Sequence, residues 1–349
     1  GDVLVGTVLC NNLRKIFPNA QIDYLIYRFT QDVVLNNPNI DNIIYYEDEY
    51  RGSYKLFPFA FSLRKERYDI TIDAYGKLES KIIVALSGAK KRVSYKKKGN
   101  WINNIQVERS FKKVSIAGAT IDGRLNLLRP LNRKDIPLDS KPKIFLTDEE
   151  KSEALALFEK EIIQLDKKII MFGITGSNKQ KTLPLDKMSR IVNYFNDKYD
   201  VKILLSYFED QQEIASNFYQ SIAKKESVYF NLYEPSLRGF IKLLTQVDAY
   251  IGNDCGFTNI SKAMNVPTFG FFSSFVFRED WGIFEDGKVN MSIHLEDFRK
   301  DIFNQYGEGR SRKQAIKARK KDAVKLYRYY DVDEIIKRIE DYLRNLKVI

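Results

Sequence analysis

VDAYIGNDCGFTNISKAMNVPTFGFF, residues Val247–Phe272, sets two apolar runs around a polar turn and a short amphipathic stretch. VDAYI and VPTFGFF read as strands, and FTNISKAM between them reads as a helix. The turn GNDCG (Gly252–Gly256) joins the first strand to that helix. Strand, helix and strand in this order call for a parallel pair with a crossover. One carboxylate, Asp254, stands where the strand gives way to the helix. It is either an ordinary helix cap or a ligand contact in a βα loop, and its residue type does not decide between them.

The same alternation continues outward. QIDYLIY (Gln21–Tyr27), NIIYY (Asn42–Tyr46) and YDITIDA (Tyr68–Ala74) read as strands in the first half, with helical runs such as LRKIF and LESKIIVALS between them. RPLNRKDIPLDSKP (Arg129–Pro142), with three prolines and mixed charge, reads as a linker. A helix then opens at Thr147, with Glu150 three residues on completing a capping box, and runs to Ile162. KKIIMFGIT and VKILLSY follow as strands, separated by the helix LDKMSRIVNYFND. The fold class expected is α/β: two Rossmann-like domains with parallel sheets, residues 1–145 and 146–330. The amphipathic helix of residues 331–349 closes the chain. The opening GDVLVGTVLCNNLRK reads as a turn into a helix with no strand before it. About 5–10 residues of a first strand are therefore expected upstream of Gly1.

Composition bounds the function. The 349 residues are 44% hydrophobic and include 23 Phe, ample for two cores. The net charge of +11 favours acidic partners: phosphorylated ligands, nucleic acid or an anionic membrane surface. It is equally the charge of a lysine-rich solvated surface. Two cysteines, Cys10 and Cys255, point to a reducing compartment. A single histidine, His294, leaves no room for a histidine-rich metal site and argues against a Ser-His-Asp triad. No apolar stretch approaches the ~20 residues that span a bilayer.

Polar βα loops are the candidate sites, because ligands of open α/β sheets bind beyond the carboxyl ends of the strands. GITGSNKQKTLPLDKM (Gly173–Met188) combines Thr175, Gly176 and Ser177 with Lys179 and Lys181, a composition suited to phosphate. It does not have Walker A spacing. SYFED (Ser206–Asp210) and the N-terminal Gly1-Asp2-Val3 would open on the same side of their sheets. Asp331 and Asp333 superficially form a metal-binding D-x-D, but they precede a helix and read as its cap. Tyr327, Tyr329 and Tyr330 read as packing. Residues 307–328 carry the densest positive charge, either a solvated face or a contact for anionic lipid or a phosphorylated acceptor.

Taken in order, these loops resemble glycosyltransferase family 9, the heptosyltransferases of bacterial lipopolysaccharide core assembly. GDVLVGTVLCNNLRKIFPNAQIDYLI is similar to the family's G-D-V-L, helix, F-P-x-A and second strand. YDITIDAYGKLESKIIVALSGAKKRVSY resembles its Y-D-x-x-I-D-x-Q-G…G-A-x-x-R-x-G-Y block. GSNKQKTLPLDKM resembles S-x-x-x-K-x-W-P, AYIGNDCGFTNISKAMNVPTFGFF the G-N-D-T-G-x-x-H block, and WGIF (Trp281–Phe284) a W-G-P-Y element. The likeness runs from residue 1 to about residue 285.

The resemblance implies a GT-B fold, with an N-terminal acceptor domain, a C-terminal nucleotide-sugar domain and a terminal helix crossing back to the first domain. It implies an inverting enzyme with no metal and no cofactor besides a nucleotide-sugar donor, ADP-heptose in the family. Asp2 matches the catalytic base and Lys181 the lysine that binds the donor phosphates. Thr175, Gly176, Ser177, Asp254, Cys255, Gly256 and Asn259 fall on the donor side, with Glu209 or Asp210 near the ribose. Asp73, Tyr75 and Arg92 fall on the acceptor side. The chain departs from the pattern at Cys255 (threonine in the family), Asn259 (histidine), Tyr75 (glutamine) and Leu183 (tryptophan).

The leading expectation is sugar transfer to a lipopolysaccharide-core or other cell-envelope acceptor in the cytoplasm, at the inner membrane face, with residues 307–328 meeting anionic lipid. A second is a degenerate member that binds nucleotide or glycan without turnover. Nucleic acid is not expected as a partner, since only the charge suggests it.

Overall fold

The computed structural model describes residues 1–97, 101–109, 114–161, 166–230, 232 and 236–349. It divides into two compact units, residues 2–145 and residues 146–349, the latter together with Gly1.

The first unit opens with helix α1 (Asp2–Ile16), buried from Leu4 through Asn12 on every side, as an apolar helix inside an α/β layer must be. Strands β1 (Asp23–Tyr27) and β2 (Asn42–Tyr46) pair in parallel. Helix α2 (Leu56–Ser62) leads to β3 (Ile70–Asp73), α3 (Leu78–Leu86), β4 (Lys91–Tyr95), β5 (Ile105–Val107) and α4 (Ala119–Asn126). β3, β4 and β5 form a second parallel sheet in that order. The Arg129–Pro142 stretch is irregular, as its prolines demand, yet it is pinned. The buried Asn12 amide donates to Asp139 O (2.7 Å) and accepts from Asp139 N (2.8 Å), pairing with the main chain as another strand would.

The second unit begins with α5 (Asp148–Lys160), whose capping box forms as expected: Glu150 N donates to Thr147 Oγ1 and Thr147 N to Glu150 Oε2. Ile162, the last residue expected in this helix, lies outside the described residues. The chain continues through β6 (Ile169–Gly173), α6 (Leu185–Lys198), β7 (Lys202–Ser206), α7 (Gln212–Gln220), β8 (Val228–Tyr229) and α8 (Leu237–Leu243). β9 (Ala249–Asn253), α9 (Gly256–Ala263) and β10 (Thr268–Phe271) form the quoted βαβ unit. Short α10 (Arg278–Trp281), β11 (Asn290–Ile293), α11 (Leu295–Phe298) and α12 (Lys300–Gln305) lead to α13 (Arg312–Leu326) and α14 (Val332–Asn345).

Six parallel strands lie in the order β11-β10-β9-β6-β7-β8. β6 and β9 are adjacent in space although three strands apart in sequence, so the winding reverses between them. Crevices of this kind open above the carboxyl ends of the two strands at such a reversal.

The terminal helix, expected to cross back to the first unit, lays its apolar face on the second. Ile335, Ile339, Tyr342 and Leu343 join one core with Phe195 of α6 and Phe269 of β10, and the Tyr342 hydroxyl donates to Val289 O (2.9 Å). Asp331 caps this helix, its Oδ1 accepting from the backbone N–H of Asp333 and Glu334, which is the capping role read for the D-x-D.

Candidate active site

β6 and β9 pair with Gly173 opposite Gly252, so the loops that follow them start side by side. The glycines are needed there. Tyr250, two residues before Gly252 on the same face, lays its fully buried ring across both. A Cβ at Gly173 would stand 2.1 Å from the Tyr250 hydroxyl oxygen, and one at Gly252 2.5 Å.

The last residue of β9, Asn253, fastens the two loops together. Its fully buried amide donates to Gly173 O (3.0 Å) and accepts from Leu183 N (2.7 Å). The loop after β6 folds back on itself, with Gly176 N donating to Thr182 Oγ1 (2.9 Å) and Gln180 N to Asn178 Oδ1 (3.1 Å). Gly176 lies so close to the returning chain that a Cβ would meet Lys181 O at 2.4 Å. From outside, Ser273 Oγ donates to Gln180 O (2.6 Å), and the Gln180 amide donates to Lys320 O of α13 (3.1 Å). Gln211, in the turn after β7, donates to Gly176 O (3.2 Å).

This scaffold brings Lys181 to Asp254. The Lys181 ammonium donates to Asp254 Oδ2 (3.0 Å) and to the Asp254 carbonyl (3.4 Å). The carboxylate side chain is 6% exposed and the lysine 25% exposed, so the cation is the member of the pair that reaches solvent. An ammonium has three donors. Asp254 occupies two, and the third is available to an anion.

The remaining residues expected on the donor side surround this pair to different degrees. Thr175 and Asn259 are buried, Ser177 is exposed on the loop, and Gly256 is the first residue of α9. The Thr175 hydroxyl is buried without a hydrogen-bond partner among the described residues, the condition of a group placed to meet a ligand or water. Cys255 is the N-cap residue of α9, and burial pushes its thiol up, so the group is neutral. Glu209 and Asp210 stand exposed in the turn after β7. Leu183 is wholly buried in the core.

The first unit holds the other expected residues. Asp2 begins α1, its carboxylate 66% exposed, and Arg124 of α4 donates to its Oδ1 (2.7 Å) from a 10% exposed guanidinium. Asp73 is buried at the end of β3, where Oδ1 accepts from the backbone N–H of Tyr75 and Gly76 and Oδ2 from Ser80 Oγ. It shapes the turn that leaves Tyr75 54% exposed. Arg92 lies toward the opposite, N-terminal end of β4. Its guanidinium is taken up by the Ala89 and Ile102 carbonyls (3.0 and 2.6 Å), so it belongs to the framework and not with the acceptor-side residues expected around it.

Residues 307–328 also change character. Arg319 is buried, its guanidinium 3.6 Å from the Phe303 ring centroid, and Arg312 pairs with Asp280 (2.6 Å). Tyr327 and Tyr330 are core residues, as read.

Sequence reasoning missed Asn253, Thr182, Gln211 and Arg124. Asn253 left a signal: a polar amide closing an otherwise apolar strand. Arg124 left none, since its pairing with Asp2 spans 122 positions. Among the described residues no group of three or more His, Cys, Asp or Glu side chains comes together.

Known proteins resemble this chain in sequence and fold. Lipopolysaccharide heptosyltransferase 1 of Campylobacter coli is 20% identical over 292 residues, covering 78% of this chain and 81% of that protein. Lipopolysaccharide heptosyltransferase 3 of Escherichia coli K12 is 24% identical over 150 residues, 40% of this chain and 42% of the relative. The crystal structure of a family 9 glycosyl transferase from Veillonella parvula superposes with a TM-score of 0.76 at 18% identity, covering 98% of this chain and 94% of that one. E. coli heptosyltransferase WaaC with ADP gives a TM-score of 0.67 at 13% identity, covering all of this chain and 96% of that one. These two share the fold. Residues 57–283 match the family described as glycosyltransferase family 9 (heptosyltransferase), a span that includes Lys181 and Asp254 and leaves Asp2 outside. With more than half of its length inside that match, the chain belongs to glycosyltransferase family 9 and is a glycosyltransferase.

Proposed function

We propose that the protein moves a heptose or related sugar from a nucleotide-diphosphate donor to a lipopolysaccharide-core or other cell-envelope acceptor. The transfer inverts the anomeric centre and uses no metal. The observation that carries this reading is the Lys181–Asp254 pair beside the β6–β9 switch, with its cation turned outward. Lys181 would hold the donor diphosphate and stabilise the charge that builds on it as the glycosidic bond breaks. Asp254 keeps the ammonium in place, and Thr175, Ser177 and the first backbone N–H groups of α9 would supply further donors. On the first unit, Asp2 would act as general base on the acceptor hydroxyl. Its carboxylate is open to solvent, and Arg124 fixes its orientation.

The relatives named above act in lipopolysaccharide synthesis, and E. coli WaaC has been crystallised with ADP. Those names support ADP-heptose as the first donor to test; a cytoplasmic membrane face as the place of work is part of the proposal. Isothermal titration of the full chain with ADP, UDP, GDP and their sugar conjugates, followed by product analysis with a deacylated core acceptor, tests the reading. Saturable binding of one nucleotide and transfer from its sugar are expected. Absence of binding to every nucleotide refutes the donor site, and binding without transfer to any acceptor refutes the catalytic role.

A further inference from the structure

Helix α2 reads LFPFAFS, and its apolar residues point two ways. Leu56 and Ala60, with Leu63 just beyond, are buried against Tyr46 of β2 and Ile83 of α3. Phe57 and Phe61, four residues apart and so on one face, are 54% and 57% exposed. Tyr54, a turn earlier, is 79% exposed, and Pro58 between the phenylalanines is exposed too. Aromatic rings left adjacent on a surface mark a contact.

The charges beside these rings are mostly positive. Arg51, Lys55, Arg64, Lys65 and Arg67 are all exposed, against four acids, Asp48, Glu49, Glu66 and Asp69. Lys55 pairs with Glu49 (2.6 Å) and Lys65 approaches Glu66 (4.0 Å). Arg51, Arg64 and Arg67 make no ion pair among the described residues, and the Arg64 guanidinium lies 5.2 Å over the Phe61 ring. Helix α13 offers an internal control. It exposes Lys313, Lys317, Lys320, Lys321 and Lys325, but Val324 is its one large exposed apolar side chain. It has the charge without the anchors.

We propose that α2 and its flanks dock on the anionic surface of a lipid bilayer. The rings of Tyr54, Phe57 and Phe61 enter the boundary between headgroups and acyl chains, and the arginines and lysines meet the phosphates. A seven-residue helix can only lie in that plane, and among the described residues no helix is long and apolar enough to cross it. A bilayer offers both required chemistries, apolar and anionic, across one flat face. The proposal deepens the membrane-face reading above by naming its surface, and it is independent of the donor site.

Sedimentation of the full chain with vesicles tests it, using phosphatidylethanolamine with phosphatidylglycerol against phosphatidylcholine alone. Binding to the anionic vesicles is expected. Phe57→Ser with Phe61→Ser should weaken it roughly ten-fold or more, and Arg51→Glu with Lys65→Glu should do the same without touching a packed residue. Replacing Lys313, Lys317, Lys320 and Lys321 of α13 by glutamine should leave most of it. Full binding by both α2 variants, loss in the α13 variant alone, or equal binding to neutral vesicles overturns the proposal. Nucleotide titration of the same variants should be unchanged, which separates failure here from failure of the donor reading.

Discussion

Asp254 and Asp2 are each held by one basic side chain, in opposite senses. Asp254 is buried and its lysine reaches solvent, whereas Asp2 is open and its arginine is buried. On the proposed reading, the exposed member of each pair would meet a ligand and the buried member would support it. A cation offered beside a sheet switch point suits a diphosphate. A carboxylate offered at the start of a helix suits a hydroxyl that must lose its proton. The same pairing of residue types would then serve two kinds of chemistry, with burial deciding which.

The largest expected effect falls on the open carboxylate. Asp2→Ala should lower transfer by about 10²–10⁴-fold, with donor affinity near wild type and stability lowered by about 1–3 kcal/mol, because the buried Arg124 guanidinium loses its partner. Titration calorimetry beside product analysis checks this, and equal loss of binding and transfer would make Asp2 a structural residue. Lys181→Met should instead weaken nucleotide binding itself by about ten-fold or more, the loss of one charge-assisted contact of roughly 1.5–3 kcal/mol. A Lys181→Met chain that binds nucleotide as wild type does would break the assignment of cation and support.

Asp254→Ala sharpens the contrast. It leaves the ammonium unsupported and should cost stability as well as nucleotide affinity, about 1–3 kcal/mol by denaturant titration. Arg124→Met, by contrast, should reduce transfer while sparing nucleotide affinity. Asn253→Leu should cost a similar 1–3 kcal/mol, because two buried backbone groups lose their partners.

The effect that is smallest at neutral pH lies on the acid side of the stability profile. Burial drives the His294 pKa down to about 3, and Nδ1 accepts from Glu296 N as the cap of α11. Below pH ~6.5 the unfolded chain binds a proton that the folded chain refuses, so stability should fall as pH drops from ~6.5 toward 3. The contribution is at most ~1.4 kcal/mol per pH unit. His294→Asn keeps a cap acceptor and should flatten that limb. An unchanged slope would mean that other groups set it.

Much of the fold was legible because its signals are local. The apolar runs, the capping box at Thr147 and Glu150, and the cap at Asp331 lie within a few residues of their partners. The candidate site was legible in part. Lys181, Asp254 and Asp2 could be singled out by type and position, yet Asp254 remained divided between cap and ligand contact. Its carboxylate in fact goes to Lys181, 73 positions away. Arg92 was misplaced because a motif gives order along a strand, not which end of the sheet the guanidinium serves. The basic run of 307–328 was read as one surface, but Arg319 turns inward to aromatic rings that belong to other segments.

By itself the sequence determined the element types, the parallel α/β class and the family, since periodicity, capping and ordered motifs are properties of contiguous residues. Only the tertiary structure decided that β9 returns beside β6, that Asn253 ties its loop to Leu183 and Gly173, 70 and 80 positions earlier, and which member of each ion pair faces water. Burial and long-range pairing depend on where distant segments meet, and no local window of sequence contains that.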